Sequence, residues 1–231
     1  IRKLRKDFFQ NVKIIDSVKK QMNSETMLLD VGCGNGNFLN NIYHQTACKV
    51  HGVDISENAV KAANENFDID VISGIIEDAP FEAESFDIIT SWWYLEHVPN
   101  PSSSLEKMAE LLKADGTCII AVPNIASFNA KVFRDKWYHL DCPRHLYLYS
   151  PGTITGLLNK AGMEVDRIMY DKSGWGLLKS LRYVFGNDSI PFSSRKKLKG
   201  SSLIKKLLLP LTLLFCLLNI SDTMVVYASK K

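Results

Sequence analysis

The sequence predicts an α/β domain built on a doubly wound, mostly parallel sheet. Three observations predict it. Short apolar runs alternate with segments of helical period from Met27 to Val122, and that alternation is the signature of a parallel sheet covered by helices on both faces. A glycine-rich turn, Gly32-Cys33-Gly34-Asn35-Gly36, joins the first apolar run to the first helical segment. The balance of 46% hydrophobic and 23% charged residues over 231 positions is that of a globular chain with a sizeable core.

The elements follow in order. Leu4 to Met22 carries Phe8, Val12, Ile15 and Val18 near helical spacing, which predicts a helix within residues 1–26. Met27–Val31 is a strand, and Phe38, Leu39 and Ile42 then fall on one helix face. Lys49–Val53 is a second strand ending at Asp54, and Glu57–Asn66 a second helix. Val71–Ile76 and Phe86–Ser91 are the third and fourth strands. A helix from Pro101 to Lys113 stops at Asp115-Gly116, a good terminator. Thr117–Val122 is the fifth strand, Thr153–Ala161 a helix ended by Gly162, and Met163–Tyr170 the sixth strand. Residues 171–222 lack strand patterning and form an insertion before a last strand over residues 223–229.

Charge and cysteine content exclude several classes. A net charge of +3 does not suit a dedicated nucleic-acid binder, so no nucleic-acid partner is expected. Five cysteines without a CxxC pair indicate neither a disulfide framework nor a zinc ribbon. A cytoplasmic location is expected, since no secretory signal opens the sequence. A start at Ile1 without an initiator Met reads as a fragment.

The glycine turn carries the chemistry. Its spacing is G-x-G-x-G with Asp30 two residues ahead, not the G-x-G-x-x-G of dinucleotide sites. A carboxylate there disfavours a pyrophosphate and favours a cationic ligand. Asp54, at the end of the second strand, is placed to accept hydrogen bonds from ribose hydroxyls. A ligand with a ribose and a positive charge but no phosphate fits S-adenosyl-L-methionine.

These residues resemble the seven-stranded, Rossmann-like (class I) S-adenosylmethionine-dependent methyltransferases, in the subgroup of small-molecule, quinone and glycan O-methyltransferases. The resemblance rests on Leu29 to Gly36, Gly52-Val53-Asp54-Ile55-Ser56, Pro80-Phe81 before Ser85-Phe86-Asp87, Leu95-Glu96-His97-Val98, and Trp137 through Arg144-His145-Leu146. It implies one domain over residues 1–231, with a cofactor-binding core at 27–125, an active-site loop at 126–152 and an antiparallel last strand. It further implies that Gly32, Cys33, Gly34 and Gly36 lie against the cofactor and that Asp30 helps hold the methionine ammonium. Asp54 would bind the ribose, Ile55 and Ile76 would lie near the adenine, and Ser91 beside the methionine part. Many relatives place an Asp where this sequence has Ile75, with acids only at Glu77 and Asp78. The expected product is S-adenosyl-L-homocysteine, and the acceptor a small-molecule or lipid- or glycan-linked hydroxyl. A nicotinamide-dependent oxidoreductase and a non-catalytic cofactor-binding module are the rivals.

The segment His139-Leu140-Asp141-Cys142-Pro143-Arg144-His145 admits three readings. It is a loop that closes over the cofactor, an acid/base loop using His145, His139 and Arg144, or a metal site from His139, Asp141, Cys142 and His145. No ligand spacing supports the last, and no metal is expected. The insertion pairs Arg195, Lys196, Lys197, Lys199, Lys205 and Lys206 with an uncharged run from Leu207 to Ser221, too short to span a bilayer. Either Leu207, Leu208, Leu211, Leu214, Leu217 and Leu218 pack over the sheet, or residues 195–221 lie on the inner membrane face.

Overall fold

The computed structural model describes residues 22–67, 69–172, 174–185 and 201–231, with backbone only for 201–207. The expected N-terminal helix and the basic residues 195–199 lie outside them.

The strands are β1 (Met27–Val31), β2 (Lys49–Asp54), β3 (Asp70–Ser73), β4 (Phe86–Trp92), β5 (Leu112–Pro123), β6 (Met163–Tyr170) and β7 (Thr223–Lys230). They form one sheet in the order β3-β2-β1-β4-β5-β7-β6. All pairs from β3 to β5 are parallel, and β7 runs antiparallel to both neighbours, as expected. The helices are α1 (Asn37–Thr46), α2 (Glu57–Asn66), α3 (Pro101–Leu111), α4 (Phe128–Phe133), α5 (Pro151–Lys160), α6 (Trp175–Val184) and α7 (Ser201–Leu217).

Two apolar clusters lie in the structure, and adjacent residues of β1 divide between them. Leu28 packs with Phe38, Leu39 and Ile42 of α1 and Val60 and Ala63 of α2. Leu29 packs with Leu105 and Met108 of α3 and Ile154 and Leu158 of α5. A sheet buried on both faces needs such continuous apolar strands. The helices start where their caps dictate. The Ser56 hydroxyl accepts the Ala59 N–H, Asn100 accepts the Ser103 N–H ahead of Pro101, and Ser150 forms a capping box with Thr153.

Two boundaries differ from the sequence expectation. The helix expected to reach Lys113 ends at Leu111, because Leu112 is already extended and opposite Phe86. Residues 113–116 then bulge out before Thr117 pairs with Ile88. Asp87 fills that irregularity, accepting from the Lys113 ammonium at 2.6 Å and the Met27 N–H at 2.7 Å. Burial opposes its ionisation, but these two donors outweigh burial and hold the carboxyl below its usual range. The third strand ends at Ser73, and Ile76 begins a 3-10 turn with its side chain in the core.

Candidate active site

β1 lies between β2 and β4, where the strand order reverses direction, and in such sheets ligands bind outside the carboxyl ends of the strands at that point. The glycine turn leaves β1 there. Its course is set by Gly32 and Cys33, whose N–H groups both donate to the Val53 carbonyl at 2.8 and 3.2 Å. The Gly34 N–H donates to Asp54 Oδ2 at 2.7 Å, and Asp54 Oδ1 accepts the Ser56 N–H at 2.9 Å. Each carboxylate oxygen keeps a second lone pair for a hydroxyl. Gly34 has φ 58, a left-handed conformation that a side chain would strain.

Exposure divides the residues expected to hold the cofactor. Gly32, Gly34 and Asp54 are half-buried, and Ile55 is 76% exposed. Ile75, after β3, is 41% exposed, so two apolar side chains stand at the ends of adjacent strands. Five other expected residues are buried in the structure. Asp30 is fully buried and accepts from Thr90 Oγ1 at 2.7 Å. Ser91 is fully buried inside β4 rather than after it. Cys33 is only 1% exposed and packs on Gly52, while Ile76 lies in the core. Gly36 is buried against Ala63 of α2 and Ile69, so it serves helix packing. These five form the floor and supports of the turn. Glu77, a candidate to replace the acid missing at Ile75, accepts instead from Ser104 Oγ at 2.7 Å.

The segment after β4 forms the opposite wall. Trp92 is buried edge-on to Phe38, and Trp93 turns the chain with φ 51. The Tyr94 ring then lies over Gly32, where a Cβ would meet it at 2.8 Å. Leu95 and Glu96 are buried. The loop after β5 returns to this segment and is stitched to it. The Glu96 carbonyl accepts the Leu146 N–H at 2.7 Å, and the Tyr149 hydroxyl donates to the Leu95 carbonyl at 2.9 Å. Burial first, then the Glu96 charge and Tyr147, push the Tyr149 phenol up and keep it a donor.

That stitching brings His145 to His97, with ring centroids 4.7 Å apart at 70°. The His145 side chain is only 8% exposed. Its Nδ1 lies 2.7 Å from the His139 carbonyl, and His97 Nδ1 lies 2.9 Å from the Arg144 carbonyl. A carbonyl only accepts, so both rings carry their proton on Nδ1 and leave Nε2 as a lone pair when neutral. Burial is the main cause that lowers the His145 pKa, against the pull of the His139 carbonyl.

The other two acceptor-side candidates are placed differently. Arg144 is two-thirds exposed, and its Nη2 is 2.6 Å from both Asp141 oxygens; that bond raises its pKa. His139 turns inward: its Nε2 is 3.0 Å from where a Cβ on Gly176 would stand, beside Asp222. Burial lowers its pKa, with Asp222 opposing. His139 thus packs between the loop and α6. The four residues of the metal reading at 139–145 do not converge either, since Cys142 is exposed and His139 points away.

Asp222, at the head of β7, is a residue that sequence reasoning passes over. It is 8% exposed, and its carboxylate accepts from Ser127 Oγ at 3.3 Å, Trp137 Nε1 at 2.8 Å and Asn129 Nδ2. Gly176 of α6 lets that helix approach, because a Cβ there would collide with the Asp222 carboxylate. Asp222 therefore fastens the loop after β5 to the antiparallel strand.

Comparison with known proteins agrees with this geometry. The methyltransferase domain family matches residues 5–168. A ubiquinone biosynthesis O-methyltransferase of Neisseria meningitidis (serogroup A, strain Z2491) is 32% identical over 104 residues, 42% of this chain and 44% of the relative. The protein of the same description from Azoarcus sp. (strain BH72) is 34% identical over 152 residues, 60% of this chain and 64% of the relative. The chain thus spans less than two thirds of these curated relatives. Among solved structures, a SAM-dependent methyltransferase from Thermotoga maritima superimposes with a TM-score of 0.60 at 18% identity, covering 94% of this chain and 87% of that one. The [4+2]-cyclase SpnF gives 0.64 at 15% identity, covering 94% and 80%. At such identities the likeness shows the fold alone, and one fold serves different reactions. The family match is what disfavours a nicotinamide oxidoreductase or a non-catalytic module. The chain belongs to the methyltransferase domain family, with the class I, S-adenosylmethionine-dependent fold.

Proposed function

We propose that this protein transfers a methyl group from S-adenosylmethionine to a hydroxyl oxygen of a small-molecule acceptor, releasing S-adenosylhomocysteine. The observation that carries the reading is the pairing of two features at one sheet edge. Gly32, Gly34 and Asp54 form an open turn with spare carboxylate lone pairs, and the Glu96–His97–His145 cluster is stitched against it through Tyr94. The residues fit the cofactor. Asp54 would take the ribose hydroxyls, and Ile55 and Ile75 would sandwich the adenine in place of a polar contact. When bound, S-adenosylmethionine supplies a methyl already activated on a sulfonium. The protein's part is then positioning, with exclusion of water by Trp93, Tyr94 and the loop. The acceptor proton is handled at the histidine cluster. The quinone O-methyltransferase relatives support an oxygen acceptor of aromatic character.

Calorimetry with Asp54→Ala tests the cofactor half. Affinity for S-adenosylmethionine is expected to fall by about 1.5–3 kcal/mol, the scale of lost charge-assisted hydrogen bonds. Tight binding of a nicotinamide cofactor with none of the methyl donor would end the reading.

A second observation bears on how the acceptor arrives. α7 packs through Thr212 and Phe215, while Leu211, Leu214, Leu217 and Leu218 are 40–80% exposed. The expected packing of these leucines over the sheet is therefore not what forms. The apolar surface continues onto Phe128, whose ring is 4.7 Å from that of Phe215. No helix among the described residues is long and apolar enough to cross a membrane. We propose that α7 lies on an anionic lipid surface, with the basic residues preceding and opening it at the headgroups, and delivers a lipid-linked acceptor. Sedimentation with liposomes should show binding that requires anionic lipid and weakens as salt rises. Substituting Gln for Lys196, Lys197, Lys205 and Lys206 should reduce it. Protein that stays in the supernatant at low salt would refute the proposal.

A further inference from the structure

We infer that the cavity between α6, α7 and the head of β7 is a subsite for a primary ammonium group, and that it holds the amine end of the methyl acceptor. Asn129, Asp171, Trp175, Phe215, Ser221 and Asp222 line it. Its room is that of one group the size of a water molecule or an ammonium. Its walls come from α4, the end of β6, α6, α7 and the start of β7, so no local pattern announces it.

Two buried side chains at this cavity keep hydrogen-bonding atoms in reserve. Asn129 is 3% exposed and Ser221 4%. Neither Asn129 Oδ1 nor Ser221 Oγ makes a hydrogen bond among the described residues. Buried polar atoms are normally paired, so these two point to a ligand. The Asn129 amide cannot turn to hide its oxygen, because its Nδ2 donates to the Asp222 carboxylate and a turned amide would set oxygen against oxygen. Ser221 is held by its backbone, whose carbonyl accepts Asn124 Nδ2 at 3.0 Å, and its hydroxyl is left over. Two glycines let the start of α6 form one wall. A Cβ on Gly174 would meet Thr212 Cγ2 at 2.5 Å, and one on Gly176 would collide with Asp222.

The lining selects a cation that donates hydrogen bonds. Asn129 Oδ1 only accepts, Ser221 Oγ can accept, and Asp171 and Asp222 bring two carboxylates. No basic residue is among the described residues of the lining. The start of α6 contributes the positive end of a helix dipole, roughly half a charge, but Asp222 stands directly against it at Gly176. The two carboxylates outweigh that dipole, so an anion is disfavoured. A hydroxyl donates once and water twice, whereas a primary ammonium donates three times. The Trp175 and Phe215 rings add faces that favour a cation. Lys179 shows that preference within the chain, with its ammonium 4.9 Å from the Trp175 ring centroid.

The assignment to the acceptor rests on the proposed methyl transfer. His139 links the cavity to the histidine pair. Its carbonyl lies 2.7 Å from His145 Nδ1, and its Nε2 lies beside Gly176 and Asp222. The cavity is also on the sheet edge of the glycine turn, because β7 is antiparallel and Thr223 pairs with Pro123 at the end of β5. An acceptor with a hydroxyl near His145 and an ammonium about a ring's length away can reach both. Ammonium binding itself does not depend on that reading.

The test uses the full chain with nitrogen-labelled tryptophan, read by NMR. Methylammonium chloride is titrated at constant ionic strength, with tetramethylammonium chloride as a control that carries the charge but no N–H. The Trp175 indole resonance, assigned with Trp175→Phe, should shift and saturate with methylammonium alone. Ser221→Ala should weaken this binding at least ~10-fold, the effect of losing a hydrogen bond to a charged group. Ser221→Val, which fills the cavity, should remove it, and the alanine variant keeps the test usable if the valine variant fails to fold. An equal response to both cations, no saturable response, or binding unchanged in the folded variants overturns the subsite. Turnover is then compared across pairs of hydroxylated acceptors that differ only in a primary amine, such as tyramine and para-ethylphenol. The amine-bearing member should have kcat/KM at least ~10-fold higher, and Ser221→Ala should shrink that ratio. Methyl transfer without such a preference in any pair overturns the acceptor assignment. Saturable methylammonium binding without methyl transfer to any hydroxylated acceptor keeps the subsite and retires the proposed function.

Discussion

Gly34→Val is expected to abolish S-adenosylmethionine binding, with Kd rising at least ~100-fold, or about 3 kcal/mol. Gly34 sits at φ 58, where a β-branched residue is strained, and its N–H anchors Asp54 at 2.7 Å. Valine would push the backbone out of that conformation and misplace the carboxylate. Strain alone does not account for the expected loss, and a control separates the two. Gly162 has a similar φ of 83 but lies just ahead of β6, with open space where a Cβ would stand. Gly162→Val should lower thermal stability while leaving cofactor affinity within about twofold. Calorimetry on both variants, with circular dichroism to verify the fold, reads the difference. Normal affinity in Gly34→Val would show that the turn is not the site.

Asp222→Ala is expected to cost about 3 kcal/mol or more of stability and to remove turnover. The substitution strands three donors at once, Ser127 Oγ, Asn129 Nδ2 and Trp137 Nε1, each in buried surroundings. A buried donor left without a partner costs about 1–3 kcal/mol. With the clamp gone, the segment carrying Trp137 and His139 loses its attachment to β7. Asp222→Asn should be far milder. Its amide oxygen can keep Ser127 and Trp137, while its NH2 can donate to the Asn129 Oδ1, which is buried and accepts no hydrogen bond among the described residues, once that amide turns over. Chemical denaturation and a turnover assay on both variants check the ordering. An alanine variant as stable and active as its parent would show that the loop is held elsewhere.

The relation of sequence to structure differs between the two halves of the site. The proposed cofactor half is legible because it is local. Strand, glycine turn and helix follow one another within residues 27–46, and Asp54 ends the next strand. Hydrophobic period and glycine spacing report such contiguous units directly. What they do not report is depth. Asp30, Cys33, Gly36, Ile76 and Ser91 are expected at the ligand, yet all are buried, because a residue beside a ligand-facing neighbour can point to the other side of the backbone. The Asp115-Gly116 pair has the composition of a helix stop but forms a bulge in β5, since Phe86 captures Leu112 earlier.

The proposed acceptor half is decided by tertiary structure. His97 and His145 meet because the His97 ring bonds the Arg144 carbonyl 47 residues away, and Asp222 reaches Trp137 across 85. No periodicity encodes such partners, because hydrogen-bond geometry between distant segments depends on how the sheet and its crossovers are folded. The outward face of α7 is likewise beyond the sequence, which shows that the leucines are apolar but not which of them find a neighbour. The order of strands and helices, the alternation that makes the sheet parallel, and the place of the glycine turn can thus be read from the residues in order, because all are encoded by short-range pattern. Only the tertiary structure decided which of those residues are open to a ligand, which histidines converge, and what holds the loop beside them, because burial and convergence are properties of packed surfaces and not of neighbours along the chain.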